Sequence, residues 1–283
     1  MFTINCKGKL LVLETPVVMG IINITPDSFY EGYQGKTTAA ITAIAARMIS
    51  EGASILDIGG QSTRPGSNAI TELEEMNRVL PVIRAINEAF PGMIISIDTY
   101  YAAVAKAAFD AGASIVNDIS GGNMDKDMIP AVAALQAPYI CMHMKGTPAT
   151  MQKDIAYDDV VKEVLDFFIA KTYECKEAGI KDVIIDPGFG FGKTINHNFQ
   201  LLENLELFKM PDRPILAGLS RKSTIYKTLG TDAAGALNGT TALNMIALQN
   251  GADILRVHDV KEAVECVKLY TAMKKANQTA STH

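Results

Sequence analysis

Val17-Val18-Met19-Gly20-Ile21-Ile22 is a short apolar run, and it breaks into Asn23-Ile24-Thr25-Pro26-Asp27-Ser28-Phe29. The run does not alternate cleanly, so it reads as a strand buried on both faces, as in a parallel sheet. The same unit recurs through the chain as Ser54–Ile58, Met93–Ile97, Ser114–Val116, Pro138–Met142, Asp182–Ile185, Pro214–Leu219 and Asp253–Val257. Helical patterns separate these runs. Ile41, Ile44, Met48 and Ile49 share one face and Gly52 follows as a stop. Thr71 and Glu74 form a candidate capping box ahead of Met76, Leu80, Ile83 and Ile86, and Val161, Val164, Leu165 and Phe168 repeat the spacing. Strand–helix alternation repeated eight times predicts an α/β fold, a single-domain (β/α)8 TIM barrel. An open doubly wound sheet is the alternative, but no run is followed by a G-x-G-x-x-G turn.

The length of 283 residues suits such a barrel, which typically takes ~250. The expected domain spans 1–283, with a core from about residue 15 to 275. Met1–Glu14 is expected to form a hairpin or strand pair closing the barrel bottom, and Lys274–His283 to fray. Apolar residues make up 48% and charged residues 20%, which allows a large core and excludes a disordered chain. No apolar run approaches the roughly 18 residues of a membrane span, and Met1–Lys9 does not read as a secretion signal, so a cytoplasmic protein is expected. Cys6, Cys141, Cys175 and Cys266 are scattered and form no CxxC pair, which points to reduced buried thiols. A net charge of −5 does not favour long-range attraction to nucleic acid.

Each predicted strand ends in polar residues that a packed core does not need. Asn23 follows the first, Asp57 and Gly59-Gly60-Gln61-Ser62-Thr63-Arg64-Pro65-Gly66 the second, and Asp98-Thr99 the third. Asn117-Asp118, Met142-His143, Asp186-Pro187-Gly188, Ser220-Arg221-Lys222-Ser223 and Arg256-Val257-His258 complete the set. Barrel active sites form at this C-terminal face, so these residues should converge on a site for a phosphate-bearing substrate. Asp98, Asn117 and Asp186 offer acceptors for the N–H groups of a flat heterocycle, and Lys222 a donor for a ring nitrogen or carbonyl. Arg256 and His258 stand two apart, so a regular strand points both the same way, and with Asn23 they suit phosphate oxygens. Asp57 fits either a strand-end turn or the site. His143 reads as a loop-orienting residue and Arg221 as a salt-bridge partner. Gly188-Phe189-Gly190-Phe191-Gly192-Lys193-Thr194 looks like a phosphate loop, but Pro187 stands where that motif needs glycine, so it reads as a turn. The long connections Thr25–Thr37 and His143–Tyr157 read as lids.

Taken together, these motifs resemble dihydropteroate synthase from Met19 to Val260. The carrying segments are Met19–Phe29, Gly59–Gly66, Asp98-Thr99, Asn117–Gly122, Asp186–Lys193 and Ser220–Ser223. Gln61 stands where many members carry Glu, and Ala217 precedes Gly218-Leu219-Ser220 where other small or apolar residues are common. The resemblance implies condensation of 6-hydroxymethyl-7,8-dihydropterin diphosphate with p-aminobenzoate, giving 7,8-dihydropteroate and pyrophosphate. It implies Mg2+ with Asn23 as its protein ligand, a homodimer and a sulfonamide target. Asp98, Asn117, Met142, Asp186, Gly218 and Lys222 would then hold the pterin. Asn23, Arg64, Arg256 and His258 would meet the diphosphate, and Thr63, Arg64, Pro65, Phe191, Lys222 and Ser223 would frame p-aminobenzoate. Asp98, Asp186, Lys222, Arg256 and Asn23 would carry catalysis, with Thr25, Pro26, Asp27 and Phe29 in a lid. A corrinoid methyltransferase relative, a lysine Schiff-base aldolase using Lys222 and a ligand-binding paralogue are the competing readings.

Overall fold

A computed structural model of the chain describes residues 1–24, 38–62, 67, 69–153 and 155–280, with side chains through 276. Two short strands, β1 (Phe2–Cys6) and β2 (Lys9–Leu13), precede β3 (Val17–Asn23). The chain continues through α1 (Thr38–Glu51), β4 (Ile55–Gly59), α2 (Glu72–Ala89), β5 (Ile94–Asp98), α3 (Ala102–Ala111) and β6 (Ile115–Asp118). Next come α4 (Met128–Leu135), β7 (Tyr139–Met142), α5 (Val160–Glu177), β8 (Val183–Asp186), α6 (Ile195–Glu203) and β9 (Leu216–Ala217). The last elements are α7 (Ser223–Thr228), α8 (Leu237–Gln249), β10 (Ile254–Val257) and α9 (Val260–Ala280).

β3 to β10 pair in parallel in the order β8-β7-β6-β5-β4-β3-β10-β9. A parallel bridge from Ile185 to Ile215 joins the two ends, so the sheet closes on itself and the open-sheet alternative falls. Every apolar run that reads as a strand in the sequence contributes one barrel strand. The seventh is short: β9 keeps only Leu216 and Ala217 in regular pairing.

A period of two runs along every barrel strand and decides what faces inward. Met19, Ile55, Ile94, Ile115, Ile140, Ile184, Leu216 and Ile254, one from each strand, form a single apolar layer. The β1–β2 hairpin seals that layer from below with Ile4, Cys6, Leu11 and Leu13. Asp182 anchors the hairpin by accepting the Asn5 amide at 2.9 Å. The expected N-terminal closure of the barrel bottom is therefore a hairpin whose buried side chains alternate with exposed Leu10 and Val12.

The larger core lies between the barrel and its helices, where Ile41, Met48, Val79, Ile83, Ile86, Val164 and Phe168 pack against the outward strand residues. Thr71 caps α2 by accepting the Glu74 amide at 3.2 Å, but the Glu74 side chain pairs with Arg78 instead, so only the Thr71 half of the expected capping box is present. α9 departs from expectation. Its helix continues to Ala280, because Lys274–Ala280 contains neither glycine nor proline to stop it; residues 281–283 lie outside the described part.

Candidate active site

Counting two residues onward from the apolar floor reaches the next inward positions. From Ile55, Ile115, Ile140, Ile184, Leu216 and Ile254 these are Asp57, Asn117, Met142, Asp186, Gly218 and Arg256. The floor is hydrocarbon and the layer above it is polar. One step higher, Asn23, Gly59 and Asp98 are successive partners across β3, β4 and β5, and Asp98 pairs in turn with Asn117.

Arg256 sits at the centre of this layer. Its Nε donates to Asp57 at 2.6 Å and its Nη2 to Asp98 at 2.5 Å, while Asn117 Nδ2 donates to the same Asp57 oxygen at 3.1 Å. Asp57 is wholly buried, and its second oxygen has no hydrogen-bond partner among the described residues. Its open reading is thereby narrowed: the recorded partners of its side chain are Arg256 and Asn117 across the barrel, not a local turn. Arg256, expected on phosphate oxygens, commits Nε and Nη2 to carboxylates.

Across the mouth, a Cβ on Gly218 would lie 3.7 Å from Lys222 Nζ and 3.9 Å from Asp186 Oδ2. Glycine there leaves open the space that both groups border. Lys222 Nζ donates to the Phe189 carbonyl at 2.5 Å and stands 4.9 Å from the centre of the Phe191 ring. Met142 and Phe191 belong to one small apolar cluster with Tyr100, Ile119, Tyr101 and Met144. A flat ligand thus meets charge on one side and hydrocarbon on the other.

Burial sets the electrostatics. It raises Asp98 to about 7 against the pull of Arg256, with Asp57, Asp118 and Asp186 adding repulsion. It raises Asp186, opposed by Lys222 and the Gly188 amide, and lowers Lys222 to about 8, opposed by Asp186. The carboxylates of Asp57, Asp98 and Asp186 hold the Arg256 guanidinium above its ordinary range despite burial. Three carboxylates face two cations, which suits a ligand rich in N–H donors.

His258 lies past the last residue of β10, so strand alternation does not set its direction; its Nδ1 is 3.0 Å from Ser220 Oγ. Ser223 opens α7, directly after Lys222. Arg221 makes a two-pronged ion pair with Asp259 at 2.7 and 2.8 Å, the structural role its sequence context suggests. Asp118, next to Asn117, serves the scaffold, accepting from Ser120 and Gly122 of its own loop and from the Tyr139 hydroxyl of β7. His143 is buried edge-on against Phe167 at 4.9 Å, and burial with Lys193 and Lys145 beside it pushes the ring down to about 2, so it is neutral. Thr25, Pro26, Asp27, Phe29, Thr63, Arg64 and Pro65 lie outside the described residues.

Two features escape a reading by strand ends. Glu75 of α2 is buried behind the mouth, accepting Thr99 Oγ1 at 3.1 Å. Lys193, which reads as part of a turn, is turned inward and only 3% exposed.

The family model described as "Pterin binding enzyme" matches residues 19–258. Dihydropteroate synthase of Escherichia coli is 42% identical over 276 residues, covering 96% of each chain. The crystal structure of Yersinia pestis dihydropteroate synthase with a sulfonamide drug complex superposes with a TM-score of 0.93 at 39% identity, covering 97% of this chain and all of that one. Xanthomonas albilineans dihydropteroate synthase in complex with 7,8-dihydropteroate gives 0.86 at 37% identity, covering 96% and 99%.

Proposed function

This chain belongs to the pterin-binding enzyme family, and we infer from that membership that it catalyses the dihydropteroate synthase reaction of folate synthesis. It is a transferase that joins 6-hydroxymethyl-7,8-dihydropterin diphosphate to p-aminobenzoate and releases pyrophosphate. The observation that best supports this chemistry in the chain itself is that Asp98 and Asn117 are paired at neighbouring strand ends, while Asp186 and Lys222 border the space at Gly218.

The roles follow from donor and acceptor chemistry. Asp98, Asn117 and Asp186 would take the N–H groups of the pterin's amino-pyrimidine edge, and Lys222 would donate to its other polar edge. Met142 would cover a ring face. Arg256, His258, Asn23 and Arg64 would neutralise the diphosphate. Thr63, Arg64, Pro65, Phe191, Lys222 and Ser223 would frame p-aminobenzoate, under a lid carrying Thr25, Pro26, Asp27 and Phe29.

In the reaction the aryl amine nitrogen bonds to the exocyclic methylene carbon, the C–O bond to the diphosphate breaks, and the amine proton leaves to solvent. The electron-rich dihydropterin can spread the positive charge that develops, so a dissociative path is expected. The protein's work is then to hold both partners in line, offset the leaving charge and exclude water.

Mg2+ fits the donor set. A Cβ on Gly59 would lie 3.3 Å from Asn23 Oδ1, so this oxygen borders the space at the strand end, while Asp98 Oδ2, 3.6 Å from the same point, already accepts from Arg256. A hard cation that prefers diphosphate oxygens needs few protein ligands, and Asn23 would serve as one. Bound there, the ion would neutralise charge on the leaving diphosphate.

We place the enzyme in the cytosol as a homodimer acting on small molecules, away from nucleic acid and membrane. Four free, buried cysteines fit a reducing compartment. No helix among the described residues is long and apolar enough to cross a membrane.

The test is pyrophosphate release from the dihydropterin diphosphate, with and without p-aminobenzoate and magnesium, and sedimentation of the product enzyme for its mass. Release requiring both, with dihydropteroate formed, is expected. Pterin binding without turnover would indicate a paralogue or a methyltransferase relative instead.

A further inference from the structure

The turn Gly188-Phe189-Gly190-Phe191-Gly192 looks like a phosphate loop in sequence and is built the opposite way. Its three glycines adopt φ of 69°, 85° and 66°. A Cβ on Gly188 would lie 2.0 Å from the His143 carbonyl oxygen, and one on Gly192 would lie 2.4 Å from the Lys145 carbonyl oxygen, so both positions exclude a side chain. A phosphate loop aims amide N–H groups at an anion. Here carbonyl oxygens converge on a cation. Lys193 Nζ donates to Gly188 O at 2.9 Å, Phe191 O at 3.1 Å and His143 O at 3.2 Å, and lies 3.0 Å from His143 Nδ1.

The same turn meets Lys222, which takes the Phe189 carbonyl and lies over the Phe191 ring. Two lysines therefore hold one five-residue turn, Lys193 through the Gly188 and Phe191 carbonyls and Lys222 through that of Phe189. Lys193 is buried and Lys222 borders the reaction site. Burial pushes Lys193 well below its ordinary range, opposed by Asp186 and reinforced by Lys222, and the three carbonyls with His143 Nδ1 supply acceptors that offset part of that cost. Neutral His143 presents Nδ1 as an acceptor when its proton sits on Nε2.

We infer that Lys193 is a positioning residue for the p-aminobenzoate subsite, fixing the Gly188–Gly192 turn so that Phe191 and the Phe189 carbonyl hold Lys222 in register. This rests on the dihydropteroate synthase reading, in which Phe191 and Lys222 frame that substrate. Lys193 itself touches neither substrate. Of the pterin set, Asp98 and Asn117 stand on β5 and β6, whereas Asp186 accepts the Gly188 amide at 2.7 Å and Lys222 is held by the turn; p-aminobenzoate meets Phe191 as well, so loss of Lys193 should fall harder on it than on the pterin.

The experiment is steady-state kinetics of Lys193→Met, Phe191→Ala and the double variant, with calorimetric binding of the dihydropterin diphosphate. Lys193→Met should raise KM for p-aminobenzoate about tenfold while pterin affinity moves less than about threefold. In the Phe191→Ala background the same change should add little, because both act through one ring. Effects that multiply in the double variant, or equal losses for both substrates, would overturn the inference. If Lys193→Met does not fold, His143→Asn and His143→Leu replace it. Asparagine retains an acceptor near Nδ1 and should leave KM for p-aminobenzoate near the parent value, whereas leucine should raise it; identical values would overturn the inference. Dihydropteroate formation by the unaltered enzyme tests the underlying reading separately.

Discussion

The guanidinium of Arg256 lies 2.5 Å from the carboxylate of Asp98, on a strand three places away in the barrel. The same group reaches Asp57 at 2.6 Å, so one cation serves two carboxylates. The residue that sequence chemistry assigns to phosphate is thus also the counter-charge of a proposed pterin ligand.

Arg256→Ala should therefore weaken two interactions unequally. Affinity for the dihydropterin diphosphate should fall about a hundredfold, and affinity for a phosphate-free pterin about tenfold, since Asp98 loses its partner in both cases. Calorimetry with the two ligands measures the difference. Equal losses would leave Arg256 with the ion pair alone and no anion role.

Lys222→Met should separate rate from stability. Removing a buried cation that borders the site should lower kcat/KM by at least about a hundredfold. The denaturation midpoint should change little, because the charged form already bears a burial penalty. Near-parental turnover would sink the assignment of Lys222 to the substrate.

The pH profile follows from the same two groups. Asp98 must be ionised to accept N–H donors, and burial raises it to about 7; Lys222 must be protonated to donate, and burial lowers it to about 8. Activity should rise as pH climbs through the first value and fall as it climbs through the second. The profile of kcat/KM for the pterin substrate reports the free enzyme, so its maximum is expected between them. A flat alkaline limb up to about pH 9 would remove the charged donor from the mechanism.

Glu75 gives a stability prediction of definite sign. Burial raises its carboxyl from 4.5 to about 8, with Thr99 and Arg78 opposing the shift and Asp98 and Glu72 adding to it. The folded protein keeps a proton that the unfolded chain releases, so stability falls as pH rises from 4.5 to about 8. Glu75→Gln abolishes that slope while keeping an acceptor for Thr99. The variant should melt several degrees above the parent at pH 8 and close to it at pH 4.5. A gap of the same size at both pH values would show that another group titrates.

The barrel and most of its proposed ligands were legible because both depend on local regularities. Short Ile- and Val-rich runs mark strands wherever they fall, and a parallel barrel brings their C-terminal ends to one face whatever the loops do. Closure of the barrel bottom by Met1–Glu14, as a hairpin or strand pair, was expected from the place of that segment ahead of the first barrel strand. Asp98, Asn117, Met142, Asp186 and Lys222 could be picked as strand-end residues, and the family resemblance gave each a role.

What the sequence by itself determined is the fold and the roster of groups at its mouth, since periodicity and chain order are properties of the chain alone. Only the tertiary structure decided which charges neutralise which. Arg256 meets Asp57 and Asp98 because barrel closure sets β10 beside β3 and aims all three side chains inward, a pairing 199 and 158 residues apart in the chain. Lys193 turns into the protein because the positive-φ glycines before it present carbonyls that accept its protons, whereas the string of letters gives only a glycine-rich turn. Coulomb energy and hydrogen bonding depend on distance in space and on solvent exclusion, and neither is set by neighbours in sequence.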